Sequence, residues 1–475
     1  MLRRTLVAVV LCVAIAAVTA CRGGTAGDGP AARDARVVLV VVDALRADHL
    51  GAYGYRLHDT SPNIDRRAER GLLFERSWAA SSWTLPSFGS ILTGLLPSAH
   101  AAGVEVSDDT EAAFETAAAR NFVTLPESVP TVAGILSAAG FATGAFVANP
   151  FLDPRFGLGR GFGYYDHDDA SNVEARPAAE VVDRALAWID ERGERPFFLM
   201  VHLMDAHLNY DAPAPFGGRF TGEVDTDLQL PVKGLWPTRN RVDEMSDSER
   251  AFITAAYDEE IAYIDAEVDR LLAGLEQRGV LDSGLVVLTA DHGEELFDHG
   301  GFEHGHSMYD EVLRVPLILW GRGVSPGREA MPVSLIDVAP TVLDAAGVSY
   351  PGTSDDAGGK GGLPGISLLD DARPDWPARR AIIAERLLYG PETKAIVEWP
   401  DKAIVEIDSG RAQLFDLQID PGEQDDLAAG DPELLARLLT EMSDRLAEAE
   451  AAGAAPGTDL DEDLLRRLRA LGYIR

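Results

Sequence analysis

The run Val37-Val38-Leu39-Val40-Val41-Val42 goes six residues without a polar side chain. A β-branched stretch with no wet face reads as a strand covered on both sides, the usual state of a strand in a parallel sheet. Phe197-Phe198-Leu199-Met200-Val201 and Leu285-Val286-Val287-Leu288 repeat the signal, and Val315-Pro316-Leu317-Ile318-Leu319 adds a fourth strand. Helix-period segments fall between them, at 178–191 and 249–278 among others. Such alternation predicts an α/β sandwich with a mostly parallel central sheet over 37–350. A Gly/Asp-rich loop is expected at 351–378, a small antiparallel β subdomain at 379–430, and a helical tail at 431–475.

The first residues read as an address. Arg3 and Arg4, an apolar stretch at 6–18 too short for a comfortable span, and Val18-Thr19-Ala20 before Cys21 follow the order of a signal peptide at 1–20. That ending resembles a bacterial lipobox, which implies acylation of Cys21, a tether over 21–36, and a lipid-anchored protein of the cell envelope outside the cytoplasm. Ordinary cleavage with a cysteine nearby, or an uncleaved anchor, are the alternatives. Cys12 and Cys21 are the only cysteines, so the body of the chain has no catalytic thiol and no disulfide. With 42 Lys+Arg against 77 Asp+Glu and only four lysines, the net charge of −35 repels phosphate backbones and argues against a nucleic-acid partner.

Three of the buried strands end in metal-binding chemistry. The first runs into Asp43, the second into His202-Leu203-Met204-Asp205-Ala206-His207, and the third into Asp291-His292-Gly293-Glu294. Ligands of open α/β sheets bind beyond the carboxyl ends of the strands, so these groups can share one crevice. Any one aspartate alone reads equally well as a helix cap; three strand ends of one kind favour a site. Four of the ten histidines fall between 292 and 306, including His299, His304 and His306. A further element, Ser81-Ser82-Trp83-Thr84-Leu85-Pro86-Ser87, leads into a helix expected at 88–93. Hydroxyls there are ordinarily caps, although a helix start is also an anion site.

In this order, the segments resemble the sulfatase branch of the alkaline phosphatase superfamily. VVLVVVDALRADHLGAYGY, SFGSILTGLLPSAHAAG, LTADHGEELFDHGGFEHGHSMYDEVLRVPLILWG and LFDLQIDPGEQDDLA carry the likeness, which extends over about 37–427. The departures matter as much. Where family sulfatases have C-x-P-S-R, this chain has Thr84-Leu85-Pro86-Ser87-Phe88, and threonine lacks the CH₂ that oxidation to formylglycine requires. Where the family has G-K-W-H, it has Val147-Ala148-Asn149-Pro150, and no lysine precedes Lys233.

A threonine at that position resembles the superfamily's phosphodiesterases and its phosphoglycerol and phosphoethanolamine transferases. The likeness implies a metal set of Asp43, Thr84, Asp291 and His292, with Thr84 as nucleophile. It also implies His207 and His304 as groups that bind the ester oxygens or protonate the leaving group, and His202, His306 and Asn149 as substrate contacts. One carboxylate fewer and one imidazole more favours Zn²⁺ or Mn²⁺ over Ca²⁺. A second cation could draw on His207 with His304 or His306, or on Asp205. The expected substrate is an anionic phosphate or sulfate ester of a sugar, lipid head group or envelope polymer, hydrolysed or transferred. The rival readings are a sulfuric ester hydrolase working without formylglycine, and a non-catalytic binding lipoprotein that keeps the fold.

Overall fold

A computed structural model describes residues 35–104, 122–167, 176–232, 241–351, 363–377 and 379–453. The signal peptide, Cys21, most of the tether, much of the Gly/Asp-rich loop and the end of the helical tail lie outside the described residues.

The central sheet has eight strands: β1 (Arg36–Val42), β2 (Leu72–Phe74), β3 (Ala142–Phe146), β4 (Tyr164–Asp166), β5 (Phe197–Leu203), β6 (Leu285–Ala290), β7 (Leu317–Gly321) and β8 (Gly327–Glu329). Their spatial order is β8-β2-β7-β6-β1-β5-β3-β4. β1 lies between β5 and β6, parallel to both, which is why its valines meet no solvent. The fourth expected strand, β7, runs antiparallel to both of its neighbours; every other pairing is parallel.

Helices cover both faces. One layer contains α2 (Ala178–Arg192) and α3 (Asp247–Gln277); the other contains α1 (Thr84–Thr93) and α4 (Val338–Ala346). α3 begins in a capping box, in which the Ser246 hydroxyl accepts from the Glu249 amide and the Glu249 carboxylate accepts from the Ser246 amide. Among the described residues no helix is long and apolar enough to cross a membrane.

The C-terminal part is a four-stranded antiparallel meander: β9 (Ile382–Ala384), β10 (Thr393–Glu398), β11 (Asp401–Glu406) and β12 (Ala412–Asp416). α5 (Pro432–Ala452) packs Leu438, Met442 and Leu446 against one face of it. Leu387, Leu388 and Tyr389 of the β9–β10 connection are buried in the same core as the central sheet.

α1 rests on a buried imidazole. Gly89 has no room for a Cβ, which would approach His100 Cε1 to 2.4 Å. The Ala102 amide donates to His100 Nδ1 at 3.1 Å, leaving Nε2–H to face the Pro86 carbonyl at 3.1 Å. Burial, with the nearby Arg386 charge, pushes this imidazole down to about 4. The folded chain therefore holds His100 neutral while the unfolded chain protonates it near 6.5. Its contribution is complete above pH 6.5 and is lost as pH falls towards 4, by about 3 kcal/mol in all. We expect His100→Gln to have a shallower fall in urea midpoint between pH 6.5 and 4.5 than the wild type; equal slopes would contradict this.

Candidate active site

The carboxyl ends of β1 and β6 lie side by side, so Asp43 and Asp291, the residues next after them, both emerge at one rim. α1 brings Thr84 to the same rim as its first residue. The Ser87 hydroxyl fastens the helix there by donating to the Asp291 carbonyl at 2.6 Å. The helix thus starts four residues earlier than the sequence suggests, and no side chain caps it. Pro86 is tolerated because the first turn needs no amide hydrogen bond.

Three oxygens surround His292 Nε2 at nearly equal range: Thr84 Oγ1 at 3.3 Å, Asp291 Oδ2 at 3.4 Å and Asp43 Oδ1 at 3.5 Å. A tetrahedral cation with bonds of about 2.1 Å places its ligands about 3.4 Å apart. Asp43 Oδ1 and Asp291 Oδ2 are buried and carry no hydrogen bond, as expected of atoms that serve a cation instead. His292 Nδ1 donates to the Gly293 carbonyl at 2.8 Å, which puts the lone pair of the neutral ring on Nε2. Among the described residues, Asp43, Asp291 and His292 are the group of three acid or imidazole ligands within 4.8 Å of one another. The donor set fits a divalent cation.

The electrostatics agree. Burial raises the Asp291 carboxyl well above the usual range, and the Asp43 charge raises it further. For Asp43, burial opposes ionisation, but the His202 hydrogen bond and the His207, His202 and His292 imidazoles around it outweigh burial and hold the group low. Two carboxylates this close share one negative charge unless a cation joins them.

The other expected residues divide into those facing this centre and those supporting it. His207 and His304 face it. Their rings stand 4.9 Å apart, His304 lies 4.3 Å from the His292 ring, and both are nearly enclosed, 5% and 4% exposed. His207 Nδ1 donates to the Leu208 carbonyl, and His304 Nδ1 donates to Glu294 at 2.8 Å. Burial, with the His292 and His207 rings beside it, lowers the proton affinity of His304 far below the usual imidazole range. With its Nδ1–H given to Glu294, the neutral ring presents the Nε2 lone pair, which accepts a hydrogen bond and does not protonate a leaving group.

His202 is not a substrate contact. The Ala148 amide donates to its Nδ1 at 3.3 Å, so Nε2–H is directed at Asp43 Oδ2, 3.2 Å away, and the ring is fully buried. Phe88 lies edge-on to that ring at 5.3 Å, filling the place of the motif's arginine with apolar packing. Asn149 is likewise drawn inward: its amide donates to Asp43 Oδ2 at 2.6 Å and to Thr84 Oγ1 at 3.3 Å. His306 turns away to Glu295 at 2.6 Å, and Asp205 accepts from the Ala178 amide at the start of α2, so neither joins the cluster.

Sequence reasoning gave Glu294 no role of its own and missed Tyr210. The Tyr210 hydroxyl donates to Glu294 at 3.1 Å, and Glu294 in turn orients His304. The only available signal was the position of Glu294, three residues after Asp291 in the same strand-end motif.

Fold and site together define an ester hydrolase of the alkaline phosphatase superfamily. The comparisons make this specific. The family model described as Sulfatase matches residues 35–348, and the chain belongs to the sulfatase family. It is 26% identical over 448 residues to an arylsulfatase of Clostridium perfringens, covering 82% of this chain and 89% of that one. The structure of a 2-O GAG sulfatase superposes with a TM-score of 0.67 at 19% identity, over 91% of this chain and 96% of the other. A phosphonate monoester hydrolase of Silicibacter pomeroyi gives 0.67 at 22% identity, over 87% and 96%.

Proposed function

We propose that this sulfatase-family hydrolase is a metal-dependent esterase that cleaves a phosphate or sulfate ester through Thr84. The observation that supports this most directly is the set of Thr84, Asp43 and Asp291 oxygens at 3.3 to 3.5 Å from His292 Nε2. A divalent cation held there supplies charge neutralisation at the ester and lowers the proton affinity of an adjacent hydroxyl. The mixed carboxylate and imidazole set suits Zn²⁺ or Mn²⁺ better than Ca²⁺.

The chain's own groups do the rest. Asn149 holds the Thr84 oxygen in one orientation by donating to it. Thr84 gives up its proton to water as its oxygen bonds in line to phosphorus or sulfur, and the bond to the leaving oxygen breaks on the side of His207 and His304, where that oxygen takes up a proton from water. Water then releases the acid group, or an acceptor hydroxyl takes it. The threonine and the missing formylglycine motif favour phosphodiesters, and the likeness to a phosphonate monoester hydrolase adds phosphonate monoesters; the arylsulfatase relative keeps sulfate esters as the second reading. We further place the enzyme at the cell envelope, tethered through Cys21.

The test is elemental analysis of the purified protein together with an ester panel: bis(4-nitrophenyl) phosphate, 4-nitrophenyl phenylphosphonate and 4-nitrophenyl sulfate. Bound Zn or Mn and turnover of the phosphorus esters are expected. Dialysis against a chelator should reduce turnover on the order of 10²-fold or more, with recovery on Zn²⁺ or Mn²⁺ but not Ca²⁺. Turnover indifferent to chelation would reject the metal, and no turnover of any ester would favour a binding lipoprotein.

A further inference from the structure

The β9–β10 connection, residues 385–392, lies between two parts of the active site that do not follow one another in the chain. On one side, the Arg386 carbonyl accepts two hydrogen bonds at 2.8 Å, from the Ser81 hydroxyl and from Trp83 Nε1. Trp83 immediately precedes Thr84. On the other side, the Gly305 carbonyl accepts two more at 2.8 Å, from the amides of Leu388 and Tyr389. Gly305 immediately follows His304.

The connection itself is stiff. Arg386 holds a left-handed φ of 69°, and Leu387 and Leu388 are buried. The preceding Glu385 is anchored through its amide to the Ala80 carbonyl at 3.0 Å, and its carboxylate accepts from the Ser98 amide and from Lys394 Nζ. Gly305 is pinched from both sides. Its φ is +81°, and a Cβ there would lie 2.9 Å from Leu388 Cβ and 3.6 Å from Trp83 Cβ.

We propose that residues 385–389 form a brace that sets the spacing between the Thr84 hydroxyl and the His304 imidazole, with Ser81, Trp83 and Gly305 as its positioning residues. The C-terminal sheet is then part of the catalytic assembly although none of its side chains touches the reacting atoms. Four hydrogen bonds on two carbonyls resist relative movement of the two segments. Catalysis is sensitive to such movement, because an error of about 1 Å in alignment costs about 10²-fold in rate. The inference about rate rests on Thr84 and His304 acting as proposed above; the inference about spacing does not.

The test uses the full chain carrying Ser81→Ala and Trp83→Phe together, which removes both donors to Arg386 and keeps the buried ring, and separately Gly305→Ala. With bis(4-nitrophenyl) phosphate, kcat is expected to fall about 10²-fold while KM and bound metal stay close to wild type. Hydrogen–deuterium exchange of the Ser81→Ala/Trp83→Phe protein is expected to quicken at 302–308, a segment that neither substitution touches in sequence. An unchanged kcat, or faster exchange confined to 81–93, overturns the brace. Were the wild type to hydrolyse no ester, the exchange measurement alone decides, and it is the functional reading that falls.

Discussion

Replacing Thr84 with Ala should lower kcat by about 10⁴-fold or more, the scale seen when a nucleophile acting in concert with its partners is removed. The protein should keep its fold and its metal. Thr84 is 1% exposed and its hydroxyl meets His292 and Asn149, whereas Asp43, Asp291 and His292 remain as three donors, and water can fill the fourth place. The smaller side chain lacks Oγ1 and Cγ2, and leaves a gap of two heavy atoms beside Asn149 that a water can fill. Thr84→Ser retains the oxygen and should retain much of the rate. Intact-mass spectrometry of the wild type, quenched during turnover, should show an adduct on the peptide containing Thr84. Turnover by Thr84→Ala at the wild-type rate would remove this residue from the mechanism.

The second large effect concerns stability. Lys402 on β11 is completely buried between two carboxylates, Asp310 Oδ1 at 2.8 Å and Glu423 Oε1 at 2.7 Å. Burial works against its charge, but the two acids outweigh burial and raise its proton affinity. Trp78 Nε1 donates to the same Asp310 oxygen at 2.9 Å. Lys402→Met would leave two carboxylates facing each other without a cation, a change worth about 3–5 kcal/mol in other buried pairs. The urea midpoint should fall accordingly, and adding Glu423→Gln should restore part of the loss. A midpoint within experimental error of wild type would mean that the triad contributes little.

Much of the scaffold was legible because it depends on burial, and burial leaves a mark in one dimension. The six residues before Asp43 could only be a covered strand, and the acids and imidazoles at three strand ends therefore had to share a rim. The brace left no such mark, because its acceptors are the backbone carbonyls of Arg386 and Gly305, which nothing in the sequence sets apart from other carbonyls. His202 was assigned to substrate for a similar reason: its type and place announce chemistry, but only the Ala148 amide reveals which nitrogen carries the proton. The start of α1 was hidden because Trp83 offers no cap and Pro86 looks like a breaker. The reversed direction of β7 depends on pairing partners 30 and 245 residues away in the chain, which local pattern does not encode.

The order of these parts along the chain has a consequence for biosynthesis. Asp43, Thr84, Asp291 and His292 are all made before residue 300, whereas residues 385–389 of the brace, and Lys402 and Glu423 of the triad, follow some ninety residues or more later. Domains emerging from the ribosome fold N-terminal parts first. A growing chain would thus carry the proposed reactive groups well before it carried the brace proposed to align them.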